Sequence, residues 1–212
     1  MKVTYSWLKI FLNIKLAPKE LAEKLTMAGL EVVSLEELSG DFVFEIEITS
    51  NRPDWLSVLG VAREISSITG SKLKTVKPAG LKIKAKSAQP VELSVADKKD
   101  CSFYSAMIIR DVKVVPSPEW LKKSLESLGC RSLNNIVDIT NYILFELGQP
   151  LHAFDLDKLD QSSIHVRRGR TGEKIITIDG QQKMLDHDIL VIADKNKPVG
   201  IAGVMEIGRA HV

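Results

Sequence analysis

Hydrophobic and polar positions along the chain switch between two periods, and the switches mark out its elements. An amphipathic segment around Tyr5 to Asn13 predicts a first helix. Pro18 then stands at a plausible first helical position, with Leu21, Ala22, Leu25 and Ala28 at helical spacing and Gly29 closing the segment, which predicts a second. Phe42, Phe44, Ile46 and Ile48 alternate with Val43, Glu45, Glu47 and Thr49, the period of two expected of a strand with one wetter face. After a turn at Ser50-Asn51-Arg52-Pro53, the residues Trp55, Val58, Leu59, Ala62, Ile65 and Thr69 trace one helix face, with Asp54 as candidate cap and Gly70 as its end. Residues 1–70 therefore read as a small α+β unit.

Residues 71–90 change character. They hold Lys72, Lys74, Lys77, Lys82, Lys84 and Lys86, contain no acidic residue up to Gln89, and read as a linker. The alternation from Leu81 to Lys86 fits first an edge strand whose lysines discourage pairing, with a patch that touches nucleic-acid phosphates as the second reading. Beyond it, residues 91–205 predict a second mixed α+β unit. Its expected strands are 91–95, Phe103 to Ile109, Ile164 to Arg168, Lys174 to Ile178 and Ile189 to Ala193, with turns at Thr171-Gly172 and Asp179-Gly180. Its expected helices are one capped by Ser117-Pro118 and carrying Leu121, Leu125 and Leu128 to Gly129, and one from about Asn135 to Leu147.

Composition narrows the function classes. With 212 residues, 44% of them hydrophobic, the chain can fill one large or two small cores. It has no run of about 18 apolar residues, and its first residues lead into an amphipathic segment with no cleavage pattern, so a cytoplasmic location is expected. Cys101 and Cys130 lack a CxxC spacing, which argues against a disulfide framework and against structural zinc. A net charge of +2 is far from that of a protein binding nucleic acid by bulk charge, so any such contact must be local.

Few residues announce chemistry. On the helix 135–147, Ile136, Ile139, Ile143 and Leu147 form one stripe and Thr140 falls on it, so its hydroxyl is expected to point inward. That hydroxyl either bonds back to the preceding turn or lines a pocket. Gly148-Gln149-Pro150-Leu151-His152-Ala153-Phe154-Asp155 then ends the helix and presents His152 between apolar neighbours. A histidine there can polarise a water or hold a hydroxyl, or serve as a hydrogen-bonded structural residue. His165 and His187 read as solvated. In Pro198-Val199-Gly200-Ile201-Ala202-Gly203-Val204-Met205, glycines would let a ligand approach the backbone, as they also would in a simple turn beside a core strand. No GxGxxG, Walker-type loop, GxSxG elbow or HExxH helix occurs, so dinucleotide, P-loop, hydrolase-elbow and zincin chemistry lack support.

Several stretches read together resemble one family, the β chains of bacterial phenylalanyl-tRNA synthetases. They are Glu45-Ile46-Glu47-Ile48-Thr49-Ser50-Asn51-Arg52-Pro53-Asp54 with Val58-Leu59-Gly60-Val61-Ala62-Arg63-Glu64, then Asn134-Asn135-Ile136-Val137-Asp138-Ile139-Thr140-Asn141-Tyr142, then Gly148 to Asp155, and finally Gly200 to Met205. The resemblance implies a B1-like domain over residues 1–70 and the first part of a B3/B4-like editing module over 91–205. It also implies membership of an ATP-dependent, Mg2+-requiring ligase of two α and two β chains, with the α subunit and tRNA(Phe) as partners and neither ATP nor Mg2+ held by these residues. The editing module hydrolyses tyrosine wrongly attached to tRNA(Phe). Carried over, the editing pocket falls on His152 and Thr140 as catalytic residues and on Ala202, Gly203, Pro150 and Arg131 as substrate-binding residues. A glutamate that recognises the phenol lies, in the family, downstream of the Ala-Gly step.

The resemblance has two departures. Relatives usually carry an inserted oligonucleotide-binding domain after the segment like Gly29-Leu30-Glu31-Val32, whereas here about ten residues lead to the strand at Phe42. After Met205 the family continues with two glycines, and this chain instead reads Glu206-Ile207-Gly208-Arg209-Ala210-His211-Val212, so 206–212 is expected to be a non-native tail of a longer protein. A freestanding editing or RNA-binding module is the alternative reading, and an interaction protein without action on mischarged tRNA the third.

Overall fold

In the computed structural model, which describes residues 1–75, 91–177, 180–203 and 205–206, the chain begins by pairing. Strand β1 (Lys2–Thr4) runs antiparallel to the later strand β3 (Asp41–Ile46), with Val3 opposite Phe44. Helix α1 (Tyr5–Phe11) follows at once, because the Thr4 hydroxyl accepts the Trp7 N–H and caps it. Helix α2 (Pro18–Met27) starts at its proline as expected, and strand β2 (Val32–Leu38) then pairs with β3. The β2–β3 connection is only Ser39-Gly40, between the paired residues Leu38 and Asp41, and both turn residues have positive φ, 52° and 77°. That is the backbone of a two-residue hairpin whose twist matches its strands.

Helix α3 (Val58–Thr69) is not capped by Asp54. Pro53–Trp55 forms a separate turn of 3-10 helix, and Ser57 caps α3 by accepting the Gly60 N–H at 3.0 Å. Gly60 is required there, since a Cβ at this position would lie 1.8 Å from the Asp54 carbonyl oxygen. Arg52 braces the same corner. Its guanidinium lies 3.5 Å over the Trp55 ring and bonds both Asp54 and Glu64, and Glu64 also accepts the indole N–H.

The described residues within 1–82 and 114–152 make one compact unit, and those within 83–113 and 153–212 make a second. This division differs from the expected break at 71–90, because helices α4 (Glu119–Glu126) and α5 (Asn135–Leu147) gather with the first unit. Packing explains it. Tyr142 of α5 stacks on Trp7 at 4.4 Å, and Tyr142 and Phe145 lie against the core formed by Leu8, Leu21, Leu25, Phe44, Val61 and Ile65. Burying each such apolar side chain contributes about 1.5–3 kcal/mol. Of the expected Lys-rich linker, residues 76–90 lie outside the described part; Lys74 does lie within it, and its ammonium donates to the Lys9 carbonyl at 3.1 Å.

The second unit is built on a five-stranded sheet ordered β10-β9-β8-β5-β4. Here β4 is Glu92–Val95, β5 Ser163–Arg168, β8 Leu190–Ala193, β9 Pro198–Ile201 and β10 Met205–Glu206. Among the described residues only the β4–β5 pair is parallel. A hairpin of β6 (Lys174–Ile176) and β7 (Gln182–Met184) accompanies it, and Val166, Ile175, Leu185, Val191, Ile192 and Val199 are buried. The expected strand from Phe103 to Ile109 does not form. The backbone over 103–109 forms no strand, and Phe103, Met107 and Ile109 are exposed. An apolar run alone does not make a strand without a partner ladder. The Ser117-Pro118 cap is also different: the Ser117 hydroxyl turns to Asp138, and α4 has no side-chain cap. Ile178 and the Asp179 turn lie outside the described residues, as do 207–212 of the expected tail, while the backbone of residue 206 pairs opposite Gly200.

The architecture is mixed α+β, as the patterning predicted.

Candidate functional site

Helix α5 carries Thr140, and local chemistry sets its limits. Asn134 caps the start by accepting the Ile136 and Val137 N–H groups at 3.0 Å, and Gly148 ends the helix in the left-handed region, φ 74°, with its N–H on the Leu144 carbonyl. The stripe that is buried is not the one expected. Tyr142 and Phe145 pack on the first unit's core and Asp138 is buried, while Ile139 and Leu147 stay about half exposed. A helix apolar on two faces offers two stripes of the right period, and only packing selects between them. The half-buried Thr140 hydroxyl donates to the Val137 carbonyl at 2.7 Å, the backward bond weighed for it, made to the residue three positions earlier.

Asp138 was not singled out by the sequence, although it organises this region. Fully buried, it accepts the hydroxyls of Ser117 and Ser132 and the Leu133 N–H at 3.0 Å. Burial pushes its carboxyl up, and the hydrogen bonds from Ser117, Ser132 and Leu133 outweigh that, so it lies below the usual carboxylate range. Ser132 and Leu133 follow the exposed Arg131, so Asp138 ties the Arg131 loop to the helix that bears Thr140. Beside it, burial and the Glu146 carboxylate, which accepts its hydroxyl at 3.2 Å, raise the Tyr142 phenol.

After α5, Gly148 sits close against Ser57: a Cβ there would lie 3.4 Å from the Ser57 Cβ. Exposed Pro150 and half-buried His152 follow in the loop, and His152 is the last residue of the first unit. Ala202 and Gly203 belong to the second unit, at the turn between β9 and β10. Ala202 donates its N–H to the Leu190 carbonyl at 3.0 Å, and Gly203 has φ 73°. The predicted site residues are thus shared between the two units, with Arg131, Thr140, Pro150 and His152 in one and Ala202 and Gly203 in the other.

The remaining histidines differ from each other. His187 is exposed beside Asp188, as expected. His165 is not solvated: its Nδ1 lies 2.6 Å from the Ser94 hydroxyl across the β4–β5 pair, and its Nε2 is buried without a partner. Among the described residues no group of three or more His, Cys, Asp and Glu is arranged to hold a metal ion, and none of the helices is long and apolar enough to cross a membrane.

Residues 100–212 match the family described as B3/4 domain, and the chain belongs to that family. Among curated proteins it is similar to the phenylalanine--tRNA ligase beta subunit of Carboxydothermus hydrogenoformans, 50% identical over 177 residues, 84% of this chain and 22% of that protein. The protein of the same name from Rhodopirellula baltica is 41% identical over 207 residues, 97% of this chain and 30% of that one. The chain thus spans between about a fifth and a third of the length of these relatives. An N-terminal fragment of the phenylalanyl-tRNA synthetase beta-subunit from Pyrococcus horikoshii shares the fold, with a TM-score of 0.50 at 17% identity, covering all of this chain and 64% of that one.

Proposed function

We propose that the chain is part of the β subunit of a cytoplasmic phenylalanyl-tRNA synthetase and contributes to hydrolytic editing of tyrosine misattached to tRNA(Phe). The observation that carries this reading is 50% identity to a phenylalanine--tRNA ligase beta subunit across 84% of the chain, together with the B3/4 family match. In this reading the subunit works with an α subunit in an α2β2 enzyme that charges tRNA(Phe) with phenylalanine. ATP and Mg2+ serve the full complex, and no step is assigned to them on these residues.

A second site is needed on physical grounds. Tyrosine is phenylalanine plus one hydroxyl, and an apolar synthetic pocket rejects such an analogue only weakly, by about a hundredfold. A hydrolytic pocket that bonds the phenol discriminates the other way, because phenylalanine leaves its buried polar partner unmatched. His152 positions the attacking water or the terminal ribose hydroxyl, Thr140 adds a hydroxyl contact once its bond to the Val137 carbonyl is exchanged, and the Ala202-Gly203 backbone lies along the aminoacyl group. Pro150 and Arg131 complete the substrate contacts.

The test uses the full-length β subunit containing this sequence, assembled with its α subunit. His152→Ala leaves phenylalanine charging nearly unchanged and slows tyrosyl-tRNA hydrolysis about a hundredfold or more, and Thr140→Val, which keeps the shape, costs less. Clearance of tyrosyl-tRNA by His152→Ala at the parent rate would return His152 to a structural role.

A further inference from the structure

We propose that a groove between α1, the β2–β3 hairpin and α4 binds single-stranded RNA, taking one unstacked base against Trp120 and the adjoining phosphate with Lys9 and Lys123. The groove holds about 660 Å³, and every residue lining it belongs to the first unit. Its wall is aromatic. Trp7 and Tyr142 stack at 4.4 Å with 18° between their planes, and Trp120 stands perpendicular to Tyr142 at 5.5 Å. Glu146 fixes this set by accepting from both the Trp7 indole and the Tyr142 hydroxyl. The contact with Tyr142 orients Trp120 yet leaves it 60% exposed, an indole surface held in place and uncovered.

Charge decides what such a surface fits. Lys9 and Lys123 are the cations of the lining, and among the described residues neither is paired with a carboxylate. The Lys9 ammonium rests 4.4 Å from the Tyr5 ring centre, and Lys123 donates to the Ser39 carbonyl at 3.1 Å, contacts that hold both amines at the groove while leaving their charge uncompensated. Asp41 is the one acid, and its carboxylate is engaged by the N–H and hydroxyl of Ser6 and by the Phe42 N–H. A flat apolar ring beside two ammonium groups selects an anion that carries a flat ring, which is the chemistry of a nucleotide. Bases locked in a duplex cannot offer a face, so the strand must be single. That the nucleic acid is RNA rests on the tRNA-linked function proposed above.

The experiment titrates the 212-residue chain into an end-labelled, unstructured RNA octamer and reads fluorescence anisotropy at several salt concentrations. Trp120→Ala weakens binding about five- to a hundredfold, the usual range for losing one stacked base, while Trp120→Phe retains most of it. Lys9→Gln and Lys123→Gln each flatten the log–log salt dependence by about 0.7, one single-strand phosphate apiece. An RNA duplex of equal length competes poorly. Absence of saturable binding by the unaltered chain, equal affinity for Trp120→Ala, or equal competition by duplex would each overturn the proposal. The His152 assay reads residues outside the groove, so failure here leaves the editing reading standing, and failure there leaves the groove measurement intact.

Discussion

Removing the Asp138 carboxylate should unfold the first unit far more readily than any surface change. The side chain is fully buried and accepts from two hydroxyls and one backbone N–H. In Asp138→Ala the hydroxyls of Ser117 and Ser132 can rotate toward other acceptors, but the Leu133 N–H cannot. Hydrogen bonds to a charged group contribute about 1.5–3 kcal/mol each, and relief of the buried charge offsets part of their sum, so a net loss of about 3–4 kcal/mol is expected. With a urea dependence of about 2 kcal/mol per molar, the midpoint falls by about 1.5–2 M. Asp138→Asn keeps the shape and one acceptor while aiming an NH2 at hydroxyl donors, and should lose about half as much. Trp7, Trp55 and Trp120, the three tryptophans of the chain, all lie in the first unit, so their fluorescence follows it directly. The pH dependence has a definite sign. The folded-state pKa is lowered, so the stabilisation is present above the unfolded carboxylate value, about 3.9, and is lost as the pH falls from there through the folded value. The gap between the unaltered chain and Asp138→Asn is therefore constant from about pH 8 to 5 and closes below about pH 4. A midpoint shift under about 0.3 M for Asp138→Ala, or a gap that widens on acidification, would refute the reasoning.

Three other substitutions test the backbone. Gly60→Ala forces a Cβ into the Asp54 carbonyl, 1.8 Å away, and should cost about 3 kcal/mol or more in the same fluorescence experiment. Asn134→Ala removes the cap of α5 and should cost about 1 kcal/mol, with the loss partly restored by Asp or Ser. Gly203→Ala places a side chain at φ 73° and should destabilise the β9–β10 turn by about 1 kcal/mol, seen as roughly fivefold faster hydrogen exchange at the Ala202 amide that bonds Leu190. Unchanged exchange there would show that the turn tolerates the strain.

Local chemistry made much of the fold legible. Pro18, the alternation from Phe42 to Thr49 and the Asn134 to Gly148 segment act within a turn or a ladder spacing, so helices α2 and α5 and strand β3 could be read directly. The candidate residues Thr140, His152, Ala202 and Gly203 come from a linear resemblance, which needs no geometry. What the sequence could not decide depended on partners distant in the chain. The apolar run from Phe103 to Ile109 reads as a strand and forms none, while Pro198 to Ile201, in a run that reads either as backbone open to a ligand or as a turn beside a core strand, pairs on both sides. Helix α5 offered two apolar stripes, and Trp7, 135 residues away from Tyr142, selected the one through Asp138 and drew α4 and α5 into the first unit. His165 read as solvated until β4 brought Ser94 beside it. Periodicity reports that a face is apolar, but which face is buried depends on a contact whose partner the local pattern does not contain.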